Sequence, residues 1–247
     1  MSSSAERTGS NIVLALDLPP DEPSQLLSRA TEVLQAVSPY VCAVKMNHQL
    51  VLPLGLFDGV QKLVSSAHSA GLPVIMDCKI NDVGYTNRAI AECYYSAGFD
   101  AVIASPFVGW DEGLQPVFEA ARRTHRGVIL LVYMSHKGAW EGYGQTVHDP
   151  ETGQAVPQHV LFARKALLWG ADGAIVGATY PEKIRDARAV LGDSVPIYSP
   201  GIGVQGGDVE SAVKAGSSYL IVGRAITLAE NPAEAARRLR DTARRRS

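Results

Sequence analysis

Charged side chains stand where short apolar runs of the chain end. The first run ends in Asp17 and the second in Lys45, while the third carries Asp77 and Lys79, with Asp82 three residues further on. An unpaired buried charge is costly, so alternating signs at such positions suggest a compensated network. This network is a candidate catalytic set. A purely structural array of ion pairs is the alternative. Such an array would more naturally lie at the end of the fold opposite the active site.

A second group of residues has the composition of a phosphate-binding site. Residues 199–208 are rich in glycine, with Gly201, Gly203 and Gly206 among them, and Gly223-Arg224 follows a later apolar run. Glycines let backbone N–H groups approach an anion closely, and an arginine can bind phosphate oxygens through two hydrogen bonds. An ordinary glycine-rich turn is the alternative for the loop alone. The arginine after the next run favours the phosphate site.

The elements that must position these residues are eight apolar runs separated by segments of helical spacing. The runs cover residues 12–17, 42–45, 73–79, 101–105, 128–133, 174–177, 195–199 and 219–223. They are rich in Val, Ile, Leu and Ala rather than alternating with polar residues, which is typical of parallel strands covered by helices on both faces. Between them, Val60, Leu63, Val64 and Ala67 have the spacing of one helix face.

Eight β–α repeats predict a single-domain α/β protein with the (β/α)8 TIM-barrel fold, spanning residues 11–247 after a disordered N-terminal tail of residues 1–10. A doubly wound open sheet is the alternative, but no GxGxxG follows the first strand. Catalytic residues of such barrels lie at the carboxyl ends of the strands. The charged residues and the glycine loop all fall there. Residues 136–158 form the one long connection, interpreted as a lid or as a tolerated surface insertion.

Composition narrows the class of protein further. The 247 residues are 46% hydrophobic and 19% charged, with a formal net charge of −2, so nothing indicates a nucleic-acid-binding surface. Three cysteines are too few for a disulfide framework, and the two inside apolar runs, Cys42 and Cys78, are interpreted as core residues. No segment has the length of a membrane helix and the N-terminus is not a signal peptide. We therefore expect a cytoplasmic protein without nucleic-acid or membrane partners.

The charged residues and the glycine loop together resemble a known family. Residues 77–82 match the D-x-K-x-x-D signature of orotidine monophosphate decarboxylases and their relatives. The segments 43–47, 199–208 and 221–226 are similar to the pattern of the same family, in the same order along nearly the whole chain. The resemblance is to the compact archaeal type. It implies decarboxylation of orotidine 5′-phosphate to UMP, the last step of de novo pyrimidine nucleotide synthesis, without metal or organic cofactor.

The resemblance also implies roles for individual residues. Lys79 would protonate the C6 carbanion left by CO2, beside Asp77, while Asp17 and Lys45 would bind ribose hydroxyls and Lys45 would pair with Asp77. The remaining substrate contacts are assigned to Ser135 at the pyrimidine edge, Gln205 between phosphate and base, the phosphate loop Gly201, Gly203, Gln205 and Gly206, and the phosphate-binding pair Gly223 and Arg224. Asp82 and Thr86 would reach the site of a partner subunit, which makes the enzyme a homodimer.

Two other functions share some of these features. Magnesium-dependent hexulose-phosphate synthase and ketogulonate-phosphate decarboxylase also carry D-x-K-x-x-D, but a glutamate of their second strand helps to hold the metal. Here that strand ends in Lys45, with no acidic residue between Val41 and Leu56. A phosphate-ligand binding protein without catalysis is the other alternative, and the presence of Lys79 with both neighbouring aspartates opposes it. None of the histidines has metal-ligand spacing with another.

Overall fold

The computed structural model describes residues 1–245, so Arg246 and Ser247 at the predicted domain's end lie outside the described residues. The strands of this part are β1 (Ile12–Ala15), β2 (Ala43–Asn47), β3 (Val74–Ile80), β4 (Ala101–Ala104), β5 (Gly127–Tyr133), β6 (Thr146–His148), β7 (Ala155–Pro157), β8 (Gly173–Val176), β9 (Ile197–Pro200) and β10 (Tyr219–Val222). Its α-helices are α1 (Ser2–Thr8), α2 (Pro23–Val37), α3 (His48–Leu54), α4 (Gln61–Ser69), α5 (Gly84–Ser96), α6 (Gln115–Thr124), α7 (Ala139–Tyr143), α8 (Gln158–Leu168), α9 (Pro181–Leu191), α10 (Val209–Lys214), α11 (Arg224–Thr227) and α12 (Pro232–Arg244).

Parallel pairing closes the sheet into a barrel in the order β1-β10-β9-β8-β5-β4-β3-β2. Each of the eight predicted apolar runs forms one of these strands, and β1 pairs with β10 to complete the ring. The fold is therefore the (β/α)8 barrel that the alternation predicted. The open doubly wound sheet is excluded by the closure. None of the helices within residues 1–245 is both long and apolar enough to span a bilayer.

The core has two layers because strand side chains alternate between the two faces of the sheet. One set points into the barrel, with members such as Val13, Ala43 and Ile221, and forms a separate inner cluster. The other set packs outward against the helices, in a larger cluster to which Leu14, Val44 and many helix residues belong. Burial on both faces explains why the strands lack polar alternation.

The N-terminal segment is the one clear departure from the predicted domain organisation. Residues 1–10 were expected to be a disordered tail, but α1 occupies Ser2–Thr8 and ends at Gly9 in the left-handed conformation, with φ 57°. Met1 and Ala5 pack against the inner barrel cluster, and the Arg7 guanidinium donates hydrogen bonds to the carbonyls of Ala70 and Gly71 at 3.1 and 2.9 Å. Tertiary contacts thus order a segment whose polar composition gave no such signal.

The long connection at residues 136–158 is an ordered insertion. It contains the short helix α7 and the two-stranded antiparallel hairpin of β6 and β7. The hairpin is attached to the barrel wall by an ion pair between the buried Asp149 carboxylate and the Arg164 guanidinium of α8. The pocket described below is lined by no residue of this insertion. Its interpretation as a lid stays a prediction.

Candidate functional site

A cavity of about 490 Å³ opens at the carboxyl ends of the barrel strands. Its wall includes most of the site residues expected from the sequence: Asp17, Lys45, Asp77, Lys79, Ser135, Gly201, Gln205, Gly223 and Arg224. Its floor is apolar and consists of inward-pointing strand residues, such as Ile103, Ile175 and Ile221. Polar groups that converge over an apolar floor are typical of a small-molecule site.

Strand register explains why the charged groups meet. In β2, Ala43 points into the barrel, so the alternation directs Lys45 and Asn47 inward as well, one and two steps nearer the mouth. Lys45 is in register with Ala15 of β1, and Asn47 with Asp77 of β3. The side chains at the ends of β1, β2 and β3 therefore face one another across adjacent strands.

Lys45 and Lys79 both donate a hydrogen bond to Asp77. The Lys45 Nζ lies 2.7 Å from Asp77 Oδ2, and the Lys79 Nζ lies 2.7 Å from Asp77 Oδ1. Asp17 completes the network, with its Oδ1 3.9 Å from Lys45 Nζ. Side-chain exposure is 6% for Lys45, 13% for Asp77 and 40% for Lys79. The most accessible ammonium of the network is thus that of Lys79.

Burial and charge act in opposite directions on this network. Burial by itself would lower the pKa of Lys45, but the negative charges of Asp77 and Asp17 and the hydrogen bond to Asp77 outweigh it and raise that pKa. Burial would likewise raise the pKa of Asp77, but the two lysine ammonium groups lower it below its usual value. Both groups are therefore held in their charged forms. The Asp77 carboxylate lies between the ammonium groups of Lys45 and Lys79 and bonds to both.

Lys79 has a backbone conformation that is unusual for a residue with a side chain. Its φ is 49°, in the left-handed region, and the pairing of β3 with β4 shifts register between Met76 and Ile80. A non-glycine residue in this region stores strain, which tends to occur where function requires a particular side-chain direction. Asp77 and Lys79, two residues apart on one strand, both line the cavity.

The glycine-rich loop after β9 forms the opposite wall of the pocket. Gly201 has φ 98°, and a Cβ at this position would lie 2.9 Å from Gln205 Oε1 and 3.0 Å from the Ser135 Cβ. The glycine therefore allows the loop to approach both of these side chains. Within the loop, the Gly207 N–H donates to the Gly201 carbonyl and the Gly203 N–H donates to the Gly207 carbonyl. These bonds fold residues 201–207 back on themselves beside the pocket.

The end of β10 places Gly223 and Arg224 next to the charged network. At Gly223 a Cβ would lie 3.4 Å from Asp17 Oδ2, so the strand ends directly against that carboxylate. Arg224, the first residue of α11, lines the pocket and is exposed. A guanidinium at the mouth, with the glycine loop beside it, is an arrangement suited to an anionic group of a ligand.

Some of the predicted site residues lie outside the pocket of this chain. Asp82 is exposed in the connection between β3 and α5, and Thr86 is half-buried in the first turn of α5. Gly203 and Gly206 belong to the glycine loop but do not line the cavity. The roles assigned to all these residues stay predictions.

The sequence reasoning missed Asn47 and Gln49, which also line the pocket. The Asn47 amide Nδ2 donates to Asp17 Oδ1 at 2.8 Å, and its Oδ1 accepts the backbone N–H of Gln49 at 2.9 Å, which makes Asn47 the N-cap of α3. The available signal was its position two residues after Lys45, where strand alternation directs it inward. Among residues 1–245, no group of three or more His, Cys, Asp or Glu side chains could hold a metal ion.

A closed (β/α)8 barrel with a polar pocket at the carboxyl ends of its strands defines the class of barrel enzymes to which the chain belongs. Comparison with known proteins narrows this class. The sequence profile of the orotidine 5′-phosphate decarboxylase / HUMPS family matches residues 10–239. The orotidine 5′-phosphate decarboxylase of Methanosarcina mazei is 36% identical over 225 residues, which are 91% of each chain. The chain therefore belongs to the orotidine 5′-phosphate decarboxylase / HUMPS family.

Solved structures agree with this assignment. The crystal structure of orotidine 5′-phosphate decarboxylase from Pyrococcus horikoshii is similar at 35% identity and a TM-score of 0.76, covering 94% of this chain and 99% of that one. The orotidine 5′-monophosphate decarboxylase of Methanocaldococcus jannaschii, solved in complex with the inhibitor BMP, is 27% identical with a TM-score of 0.78. That match covers 95% of this chain and 98% of the other. These relatives are carboxy-lyases, and the archaeal similarity expected from the motifs is confirmed.

Proposed function

We propose that this protein decarboxylates orotidine 5′-phosphate to UMP, the last step of de novo pyrimidine nucleotide synthesis. The observation that carries the proposal is the network in which Lys45 and Lys79 both bond to Asp77 in the wall of one pocket. Relatives that are named for this activity cover more than nine-tenths of the chain. The network supplies a fixed cation where the reaction develops negative charge.

The reaction leaves a carbanion at C6 of the pyrimidine when CO2 departs. This carbanion has little delocalisation, so a fixed ammonium beside it stabilises the charge as it forms. Lys79 is suited to this task because it is the most exposed cation of the network, and the same group can then deliver a proton to C6. Neither step requires an electron-accepting cofactor, and activity without one is part of the proposal.

Asp77 has two tasks in this mechanism. It holds both lysines through hydrogen bonds of 2.7 Å, which removes the reorganisation that free side chains would undergo during the reaction. Its low pKa also keeps a negative charge beside the carboxylate that the substrate loses. Repulsion between these carboxylates would be relieved as CO2 departs.

The other pocket residues are suited to bind the rest of the nucleotide. Arg224 and the loop of residues 201–207 would hold the phosphate, while Asp17 and Lys45 would accept and donate hydrogen bonds to the ribose hydroxyls. Ser135 would contact the pyrimidine edge, and Gln205, whose Oε1 lies near Gly201, would bridge base and phosphate. Because the phosphate is remote from C6, its binding energy can contribute to the rate only by holding the reacting groups in position.

The site is proposed to be shared between two subunits. Asp82 and Thr86 are outside the cavity of their own chain, and Asp82 is exposed at the mouth side of the barrel, after β3. A second copy related by a twofold axis would receive them in its pocket and give its own in return. This arrangement requires that inactive Asp82→Ala and Lys79→Ala proteins regain activity when their subunits are exchanged.

The decarboxylase is distinguished from the metal-dependent members of the family by an assay with a chelator. Purified protein treated with EDTA should consume orotidine 5′-phosphate at the same rate as untreated protein. The reaction is monitored by the loss of the substrate's ultraviolet absorbance. Lys79→Ala should abolish the reaction and still bind UMP. Loss of activity on EDTA treatment that Mg²⁺ restores would overturn the proposal in favour of a metal-bound enediolate mechanism.

A further inference from the structure

Asn87, in the first turns of α5, is a completely buried polar residue outside the pocket. Its Oδ1 accepts the backbone N–H of Asp82 at 2.9 Å, and its Nδ2 donates to the backbone carbonyl of the same residue. The second Nδ2 hydrogen is donated to the carbonyl of Gly113 at 3.0 Å. Every polar group of the amide therefore has a partner, which buried amides require.

The main chain of Asp82 depends on this one side chain. Both hydrogen-bonding groups of the Asp82 backbone bond to the Asn87 amide, although the residue itself and its neighbours Asn81 and Val83 are exposed. The Asp82 carboxylate bonds locally, accepting the Val83 N–H at 2.7 Å through Oδ1. A single buried amide thus fixes the position of an exposed loop residue.

The other end of the Asn87 amide is anchored in a closely packed region. A Cβ at Gly113 would lie 2.6 Å from the Val108 carbonyl oxygen, and one at Gly84 would lie 2.8 Å from the Glu112 carbonyl oxygen. The connection after β4 and the start of α5 are therefore in direct backbone contact. Asn87 transfers this rigidity to Asp82, because the same amide bonds to both segments.

We infer that Asn87 is a positioning residue for catalysis in the partner subunit's site. It holds the loop after β3 so that the Asp82 carboxylate is presented across the interface in one fixed place. This inference rests on the shared site proposed above and extends it, since it assigns the presentation of Asp82 to a residue that touches no substrate. A substitution of Asn87 should therefore lower the activity of the partner's pocket and not that of the pocket in the altered chain.

Asn87→Ala removes all three bonds and should lower kcat/KM about ten- to a hundred-fold, since a displacement of about 1 Å in a positioned group can cost on the order of a hundred-fold. Asn87→Asp is the second variant. It keeps the side-chain size and the acceptor for the Asp82 N–H, but it sets a carboxylate oxygen against the carbonyls of Asp82 and Gly113. Arg88→Ala is the matched control, because Arg88 is the next residue of the helix and makes an exposed ion pair with Glu119.

Subunit exchange separates positioning in the partner's site from damage to the variant's own barrel. In a hybrid of Asn87→Ala with Lys79→Ala, the site on the Asn87→Ala barrel has its own Lys79 and receives Asp82 from a chain with an intact Asn87. Random exchange of a 1:1 mixture makes about half of the dimers hybrid with one complete site each, so about a quarter of wild-type activity should appear. A mixture of Asn87→Ala with Asp82→Ala should stay near the activity of its components.

The opposite pattern would overturn the inference. If Asn87→Ala damaged its own barrel, it would gain activity with Asp82→Ala and none with Lys79→Ala. Full activity of both Asn87 variants, or failure of both to form dimers while Arg88→Ala does, would also refute it. Failure of the Asp82→Ala and Lys79→Ala pair to regain activity, with exchange demonstrated, would instead refute the shared site itself.

Discussion

Asn47 both caps helix α3 and holds Asp17, and a pair of substitutions can separate these two roles. Its Oδ1 caps α3 through the Gln49 N–H, and its Nδ2 donates to the Asp17 carboxylate. Asn47→Ala removes both bonds. Loss of a helix cap costs about 1 kcal/mol of stability, which corresponds to a fall in Tm of about 2–4 °C for a chain of this size.

The effect of Asn47→Ala on activity comes from the second bond. A hydrogen bond to a charged group contributes about 1.5–3 kcal/mol. Because the Asp17 side chain is 29% exposed, water replaces part of the lost bond, so the lower half of this range applies. At 1.4 kcal/mol for each factor of ten, kcat/KM for orotidine 5′-phosphate should fall about ten- to forty-fold.

Asn47→Asp should separate the two effects. The aspartate keeps an acceptor for the Gln49 N–H, so the helix cap is retained and any fall in Tm comes from repulsion between the new carboxylate and Asp17. It has no donor for Asp17 and brings a second carboxylate beside it, so kcat/KM should fall at least as far as in Asn47→Ala.

Asn231→Ala is the matched control for the cap, because Asn231 caps α12 in the same way, through the Glu234 N–H at 3.0 Å, and does not line the pocket. It should lower Tm and leave kcat/KM unchanged. Wild-type kcat/KM in Asn47→Asp would refute the role of Asn47 in holding Asp17.

Three further predictions concern the phosphate, the charged network and the N-terminal helix. Arg224→Ala should lower kcat/KM for orotidine 5′-phosphate by a factor on the order of ten to several hundred. Orotidine without its phosphate should be processed equally slowly by wild type and variant. An equal loss of kcat/KM on both substrates would contradict the phosphate role. The pKa of Asp77 is lowered on folding, so its contribution to stability is present above its ordinary value of 3.8 and is lost as pH falls through the folded value. Urea unfolding should therefore show a steeper acid loss in wild type than in Asp77→Asn, and parallel curves would refute the coupling. Removal of residues 2–9 should lower Tm by about 4–8 °C, which corresponds to a loss of about 2 kcal/mol of stability, without changing kcat/KM. Reduced activity at a temperature where the variant is folded would contradict a purely structural role.

The barrel could be predicted from the sequence because its strands are buried on both faces and carry the signal in their composition. The charged residues at strand ends were predictable for a related reason, since a polar side chain that follows the carboxyl end of a buried parallel strand lies at the barrel's mouth. Lys45, Asp77 and Lys79 all do so, and all line the cavity.

Other features depend on contacts between distant segments and leave no local pattern. Asn87 is a polar residue on a helix that also carries exposed charges, and its burial comes with a bond to the Gly113 carbonyl, 26 residues away. The left-handed conformation of Lys79 falls within a register shift in the pairing of β3 with β4, which only the folded sheet shows. The helix α1 was missed because its order comes from contacts of Met1, Ala5 and Arg7 with the barrel.

The N-terminal helix α1 and the last helix α12 end next to each other on the face of the barrel opposite the pocket. Gly9, at the end of α1, lies so close to Arg244, at the end of α12, that a Cβ there would be 3.1 Å from the Arg244 Nη1. A surface tether, a fluorophore or a fused protein attached near either end would therefore stand behind the barrel, away from the mouth through which a ligand enters. Such an attachment leaves the glycine loop and the segment of Asp82 unobstructed, so an immobilised enzyme can be studied with its mouth facing the solution.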